Sequence, residues 1–243
     1  MEWIYGRNVV ELALRPGARR RPHRLAVTAS ALKKLQPALP AGLPVETVDA
    51  HALDELTGTR EHQGVALQMA TFPYASTDVV LEAELVVVLD EVSDPHNLGA
   101  VARSALAAGA GGLVVPRHRA AAVTPAAVKA SAGTLEHLPV AQVTNVVAFL
   151  KEAQKAGFWV YGAAGEARGS YLDLDLSGRV LLVFGAEGRG LRPLVARSCD
   201  VLAAIPLDAP VESLNVSVAA AIFLFEARRQ RAAGGAGTSG RDR

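Results

Sequence analysis

The sequence predicts an α/β protein: a parallel sheet covered by helices on both faces, preceded by a smaller α/β unit. Two observations predict it. From Leu85 onward, short unbroken apolar runs alternate with helical patterns, as strands buried on both faces do. Three of these runs also break in the same way, at LDEVSDPHNLGAVARSA (89–105), LLVFGAEGRGL (181–191) and IPLDAPVESLNVSVAAAIFLFE (205–226). Each passes through a loop of Asp, Pro, Gly, Glu or Asn into a helix pattern. Repeated three times, this gathers backbone amides and a few polar side chains at the carboxyl edge of one sheet, where open α/β folds bind their ligands.

The elements follow in order. Residues 1–72 form the small unit: a helix over 9–14, a strand over 24–29, a helix in ALKKLQPAL that stops at Pro37, a strand over 45–48, and a strand over 64–70. Between the last two lies a helix in DAHALDELTG, with Asp49 as N-cap and Gly58 as its C-terminal stop. Residues 73–83 lack a clear period, contain Pro73 and read as a linker. Over 84–230 the strands are 85–90, 112–116, 138–143, 158–163, 180–185 and 201–206. Helices fit at 97–109, with Asn97 as N-cap, and at 125–131, 145–157, 191–198 and about 213–229. GAGG at 109–112 follows a helix and reads as its C-terminal turn. Residues 231–243 are rich in Gly, Ala and Arg and are expected to be disordered.

Composition narrows the function. The 243 residues are half hydrophobic, enough for one large or two modest domains. The single cysteine, Cys199, excludes an intramolecular disulfide and suits a reducing compartment; it reads as a small buried hydrophobe. The N-terminus lacks a basic segment ahead of a long apolar one, and LVVVL is too short to span a bilayer, so a soluble cytoplasmic protein is expected, with no membrane partner. Charge is unevenly spread: +2 over residues 1–76, −5 over 77–227 and +4 over 228–243. A basic front and tail around an acidic middle suit a polyanion held mainly by the termini.

Several chemistries drop out. GAEGRG at 185–190 follows a strand but matches neither the dinucleotide fingerprint nor the P-loop pattern, and it carries no Walker lysine. No Cys/His set has metal-ligand spacing, so no metal is expected. No G-x-S-x-G elbow supports a serine triad. Arg103 is harder to dismiss, because a guanidinium in an otherwise small and apolar helix needs a partner or an anionic ligand. Glu187 sits among glycines that allow close approach of a ligand, or serves the N-terminus of the following helix. The segment 212–215 reads as a helix cap, with Ile205 and Leu214 suited to a flat purine and Asn215 placed to tie its loop to that of Asn97.

At these segments the sequence resembles the SpoU/TrmH family of RNA ribose 2′-O-methyltransferases of the SPOUT superfamily. The resemblance rests on D-P-x-N-L-G-A-x-x-R-S-A at 94–105, G-A-E-G-x-G at 185–190, and I-P-L followed by S-L-N-V-S-V-A within 205–219. IYG at 4–6, HQGV at 62–65, AGE at 164–166 and LFEARRQR at 224–231 extend it over nearly the whole chain. It implies a C-terminal SPOUT domain with a deep trefoil knot, a rare exception to unthreaded topology. It also implies an N-terminal domain like ribosomal protein L30e that grips RNA, and a homodimer. S-adenosylmethionine would be the cofactor, contacted by Gly185, Ile205 and Leu214, with Ala164 and Gly188 beside it. Asn97, Arg103, Glu187, Ser213 and Asn215 would surround the reacting centre, with Arg103 as the catalytic residue. Within the family, the likeness is to members that methylate a 23S rRNA guanosine in the peptidyl-transferase P-loop. The alternatives are another rRNA site, a tRNA, or a non-catalytic RNA-binding assembly factor.

Such a reaction needs little from the protein beyond placement. A ribose hydroxyl is a weak nucleophile and a sulfonium methyl is already an activated electrophile, so the requirement is in-line positioning and control of one proton. A guanidinium does not ionise as a base in proteins; Arg103 is better suited to donate to the 2′-oxygen and a nearby phosphate as charge develops. Because the middle of the chain is acidic, RNA affinity is expected from the N-terminal domain, with Arg7, Arg19, Arg20, Arg21 and Arg24 as candidate phosphate contacts.

Overall fold

In the computed structural model, residues 1–35 and 39–236 are described, and they divide into two compact units. The first holds Met1–Pro73 and Val123–His137; the second holds Tyr74–Ala122 and the chain from Leu138 onward. The segment 123–137, which reads in sequence as part of 84–230, thus belongs to the first unit.

The first unit opens with β1 (Glu2–Tyr5), α1 (Arg7–Ala13), β2 (Pro22–Val27) and α2 (Ala29–Leu35), then β3 (Val45–Thr47), α3 (Ala50–Thr57) and β4 (Val65–Met69). Its sheet has the order β1-β4-β2-β3, with β4 antiparallel to both neighbours and β3 parallel to β2. The termini of α3 are those the sequence dictates: Asp49 accepts from the amide of Ala52, and Gly58 is left-handed. β1 lies outside the expected elements; four residues at a chain end give too short a pattern to show a period.

The second unit begins with α4 (Thr77–Leu81), inside the expected linker, followed by β5 (Leu85–Asp90), α5 (Pro95–Ala108) and β6 (Gly112–Pro116). The N-cap of α5 is Asp94, which accepts from the amide of His96, and not Asn97 as expected; Pro95 is pre-set for the first helical position. Asn97 is therefore inside the helix, its side chain free for other use. The chain next runs through α6 (Pro125–Ala130) and a 3₁₀ turn at Thr134–Glu136, which lie against β1 and α1 of the first unit. There the side chain of Arg20, 4 % exposed, donates to the carboxylates of Glu136 and Glu2 and to the Ala70 carbonyl. Gly133 passes so close to α1 that a Cβ would lie 3.0 Å from the Val9 carbonyl oxygen.

The second unit resumes with β7 (Val140–Val143), α7 (Val146–Lys155), β8 (Trp159–Ala163), β9 (Gly169–Ser170), β10 (Val180–Gly185), α8 (Pro193–Ala196), β11 (Val201–Ala204) and α9 (Val216–Ala236). Its seven strands run in the order β7-β6-β5-β10-β8-β11-β9, and every pairing is parallel. β5 and β10 are buried at nearly every position, which explains their unbroken apolar sequences. α7 places Val146, Phe149, Leu150 and Ala153 in the core at helical spacing. After β5 the chain builds β6 and β7 on one side and later returns to the other, so the crevice between β5 and β10 is a topological switch point.

The expected tail begins too early. α9 continues through 231–236, where Arg231 donates to the carbonyls of Leu176 and Gly178 and so anchors another turn of helix. The remaining tail residues, 237–243, and the expected helix stop at Pro37 lie outside the described residues.

Candidate active site

The loops after β5, β8, β10 and β11 leave four adjacent strands at one edge of the sheet. The last three of these loops, with the start of α9, enclose a cavity of about 420 Å³. That is within the range of ~300–1,000 Å³ common for small-molecule sites. Gly185, Ile205, Leu214, Ala164 and Gly188 all line it, as do Glu187, Ser213, Leu191, Leu207, Phe223, Glu166, Arg189 and Glu212. Sequence reasoning did not single out Leu191, Leu207, Phe223 or Arg189, and it met Glu166 and Glu212 only within the segments 164–166 and 212–215. Apolar walls beneath a rim of carboxylates fit a flat base joined to a cationic centre.

One wall is a tight hairpin. Ala186 and Gly190 exchange backbone hydrogen bonds of 3.1 and 2.8 Å, leaving Glu187, Gly188 and Arg189 at the tip. The turn returns so sharply over Gly185 that a Cβ there would lie 2.0 Å from the backbone of Gly190, so only glycine is accommodated. Glu187 therefore stands at a turn tip and not at a helix N-terminus.

Three polar side chains meet beside this tip. Asn215 donates from Nδ2 to Asn97 Oδ1 at 3.0 Å and to Glu187 Oε2 at 3.4 Å, and Asn97 Nδ2 donates to the same Glu187 oxygen at 3.4 Å. Asn215 also caps α9, its Oδ1 accepting from the Ser217 amide at 2.9 Å and hydroxyl at 2.6 Å. The cap thus fixes the face that Asn215 presents to its partners. The structural and functional readings of this residue hold together.

Other candidates are placed differently. Arg103 is exposed on the solvent side of α5, whose buried residues are Leu98, Gly99, Val101, Ala102, Ala105 and Ala108; among the described residues no hydrogen bond or ion pair reaches it. Six helical residues put it about 120° round and about 9 Å along from Asn97. It is not enclosed by apolar side chains, as its sequence context suggested. Ser213 is exposed at the cavity rim. Arg20 is corrected: a guanidinium committed to Glu136 and Glu2 in the interior is not offered to RNA. Burial alone would lower its pKa, but the hydrogen bonds and charges of those carboxylates outweigh this and raise it. Arg21 and Arg24 are exposed, with Arg24 lying over the Trp3 ring and donating to Gln68; Arg7 and Arg19 are half-buried. Burial pushes the Cys199 thiol up to about 12, which removes it as a nucleophile. Among the described residues, no group of three His, Cys, Asp or Glu side chains could hold a metal ion, and no helix is long and apolar enough to cross a membrane.

The chain is similar to known proteins over nearly its whole length. Residues 84–225 match the model of the SpoU rRNA methylase family, and residues 3–75 match that of the RNA 2′-O ribose methyltransferase substrate-binding domain. The chain belongs to the SpoU rRNA methylase family. It is 42% identical to the 23S rRNA (guanosine-2′-O-)-methyltransferase RlmB of Xanthomonas campestris, covering 95% of this chain and 97% of the relative. It is 36% identical to YacO of Bacillus subtilis, a putative TrmH family tRNA/rRNA methyltransferase, over 95% and 96% of the two chains. Among solved structures, the SpoU methyltransferase AviRb of Streptomyces viridochromogenes, in complex with AdoMet, superposes with a TM-score of 0.79 at 27% identity, covering 95% of this chain and 90% of that one. The AdoMet-bound rRNA methyltransferase of Sinorhizobium meliloti gives 0.77 at 28% identity, over 94% and 87%.

Proposed function

We propose that this protein transfers the methyl group of S-adenosylmethionine to the ribose 2′-oxygen of a guanosine in 23S rRNA. The observation that carries this reading is the Asn97–Glu187–Asn215 cluster beside a cofactor-sized cavity at the carboxyl edge of the sheet. It occurs in a family member that matches a 23S rRNA guanosine 2′-O-methyltransferase over almost its full length.

The residues present fit the cofactor. Leu191, Ile205 and Leu214 offer apolar surface for a purine, and the carboxylates of Glu166, Glu187 and Glu212 offer charges of the right sign for a sulfonium and an α-ammonium group. Gly188 has open space where a Cβ would stand, so a ligand approaches the hairpin backbone without obstruction. When bound, the cofactor supplies an activated methyl electrophile. The remaining work belongs to this chain. Asn97 and Asn215 turn their amides toward Glu187 at the tip, and Ser213 offers a hydroxyl at the rim. Arg103, free of other partners among the described residues, donates to the ribose 2′-oxygen as negative charge grows there, while the hydroxyl proton leaves to phosphate or water. Exposed Arg21 and Arg24 of the first unit contact RNA phosphates.

The P-loop guanosine is the target this reading favours. A trefoil knot, a cytoplasmic location and a homodimer complete it. Val218 and Phe225, seven residues apart and exposed on one face of α9, supply an apolar strip for a second copy.

The test is incubation of the protein with methyl-labelled S-adenosylmethionine and 23S rRNA lacking the modification, followed by nucleoside analysis. Label in 2′-O-methylguanosine is expected. Label on a base, or none in RNA, overturns the reading.

A further inference from the structure

We propose that Arg192 is a positioning residue for methyl transfer, acting through Glu187: its grip on Asp90 pins the base of the hairpin that carries Glu187. The inference rests on the reading of Glu187 as part of the reacting centre.

The hairpin is internally stiff, held by the paired Ala186 and Gly190 and closed over Gly185. Its tip, in contrast, is loosely held. The hydrogen bonds that Glu187 accepts from Asn97 and Asn215 are both 3.4 Å long, at the outer limit of such bonds. The position of Glu187 is therefore set by how the hairpin is rooted. One root is β10, where Gly185 is in register with Asp90 of β5. The other is Arg192, immediately beyond Leu191. It gives its backbone amide to Asp90 Oδ2 at 3.1 Å, and its Nε and Nη2 to Oδ1 at 2.9 and 2.5 Å. The Asp90 side chain is fully buried, while that of Arg192 is 36 % exposed.

This carboxylate is well chosen as an anchor. Asp90 ends the strand whose following loop starts the helix bearing Asn97, so a single buried group serves both arms of the Asn97–Glu187 contact. The guanidinium also reaches Glu91 at 3.5 Å, and Glu91 pairs with Arg119 of the loop after β6 at 3.1 Å. Three loops of the carboxyl edge are thereby fixed to one another. The planar fork is what the arrangement requires; a lysine keeps the charge but cannot hold two directions at once.

A double-mutant cycle tests the proposal, reading kcat at saturating cofactor and RNA, with thermal melting to confirm folding. Arg192→Lys alone is expected to lower kcat about 10- to 100-fold, the cost of a misplacement on the order of 1 Å. In a Glu187→Gln background the same change is expected to cost less than ~3-fold, because a residue acting through another loses its effect when that other is gone. Equal loss in both backgrounds, or no loss in Arg192→Lys alone, overturns the proposal. If Arg192→Lys fails to fold, Asp90→Asn, which keeps the shape and removes the charge, takes its place in the cycle, and additivity there overturns it equally. Wild-type turnover in Glu187→Gln alone is a different result; it removes Glu187 from the reacting centre and is seen before the cycle is closed.

Discussion

In the first unit Arg20 is 4 % exposed and donates to two carboxylates and a carbonyl, whereas in the second Arg103 stands in solvent with no bond among the described residues. The contrast extends beyond these two. In the first unit His62 is buried, with Nε2 on Asp54 at 2.9 Å and Nδ1 accepting from the Gly64 amide, so both ring nitrogens are committed to holding a loop. At the carboxyl edge of the second sheet, Glu187 is exposed and held by two long bonds, and Ser213 and Glu212 are exposed at the cavity rim. Polar groups satisfied in the interior hold an architecture; polar groups left open round a cavity are available to a ligand.

This contrast predicts effects of different kinds and sizes. Arg20→Ala strands Glu136, whose side chain is fully buried, and is expected to destabilise the fold by roughly 3–5 kcal/mol. Denaturant unfolding measures it, and a loss under ~1 kcal/mol would show the pair to be dispensable. Asn215→Ala belongs to both classes. Loss of the α9 cap is expected to cost about 1 kcal/mol. Methyl transfer should fall by more than that stability loss accounts for, as single-turnover kinetics on the folded variant would reveal.

Glu226 gives a pH-dependent effect. Hydrogen bonds from Arg229 and Gln230, helped by the charge of Arg229, lower its pKa from 4.5 to about 2. A carboxylate depressed in the folded state contributes stability above its unfolded pKa and loses it as pH falls through the folded value. Part of the acid destabilisation between pH 4.5 and about 2 should therefore vanish in Glu226→Gln, as melting across that range would show. The smallest effects belong to Arg21→Ala and Arg24→Ala. Each is expected to lower the slope of log affinity for RNA against log salt by about one, leaving cofactor binding and stability unchanged. A slope unchanged in both would place RNA elsewhere.

Much of the second sheet was legible in the sequence, because strands buried on both faces carry unbroken apolar runs. The ranges 85–90, 112–116 and 180–185 coincide with β5, β6 and β10. The loops that line the cavity were legible from their glycines and polar residues. What the sequence hid was long-range. No local pattern shows that Arg20 pairs with a carboxylate 116 residues away, or that 123–137 folds with the first unit. The roles of Asp94 and Asn97 were misassigned because both are good capping residues; Pro95 settles the matter by starting the helix directly after Asp94. Asp90 went unnoticed because one carboxylate at a strand end looks like the start of a loop, and only the fold brings Arg192 to it.

Methyl transfer is expected to depend on Arg103, the exposed guanidinium of α5. Arg103→Ala decides this, with calorimetric binding of S-adenosylmethionine set against single-turnover methylation of 23S rRNA. Removing one charge-stabilising donor is expected to slow transfer by about 10²- to 10³-fold, with cofactor affinity and melting temperature unchanged. Transfer at the wild-type rate would contradict the account.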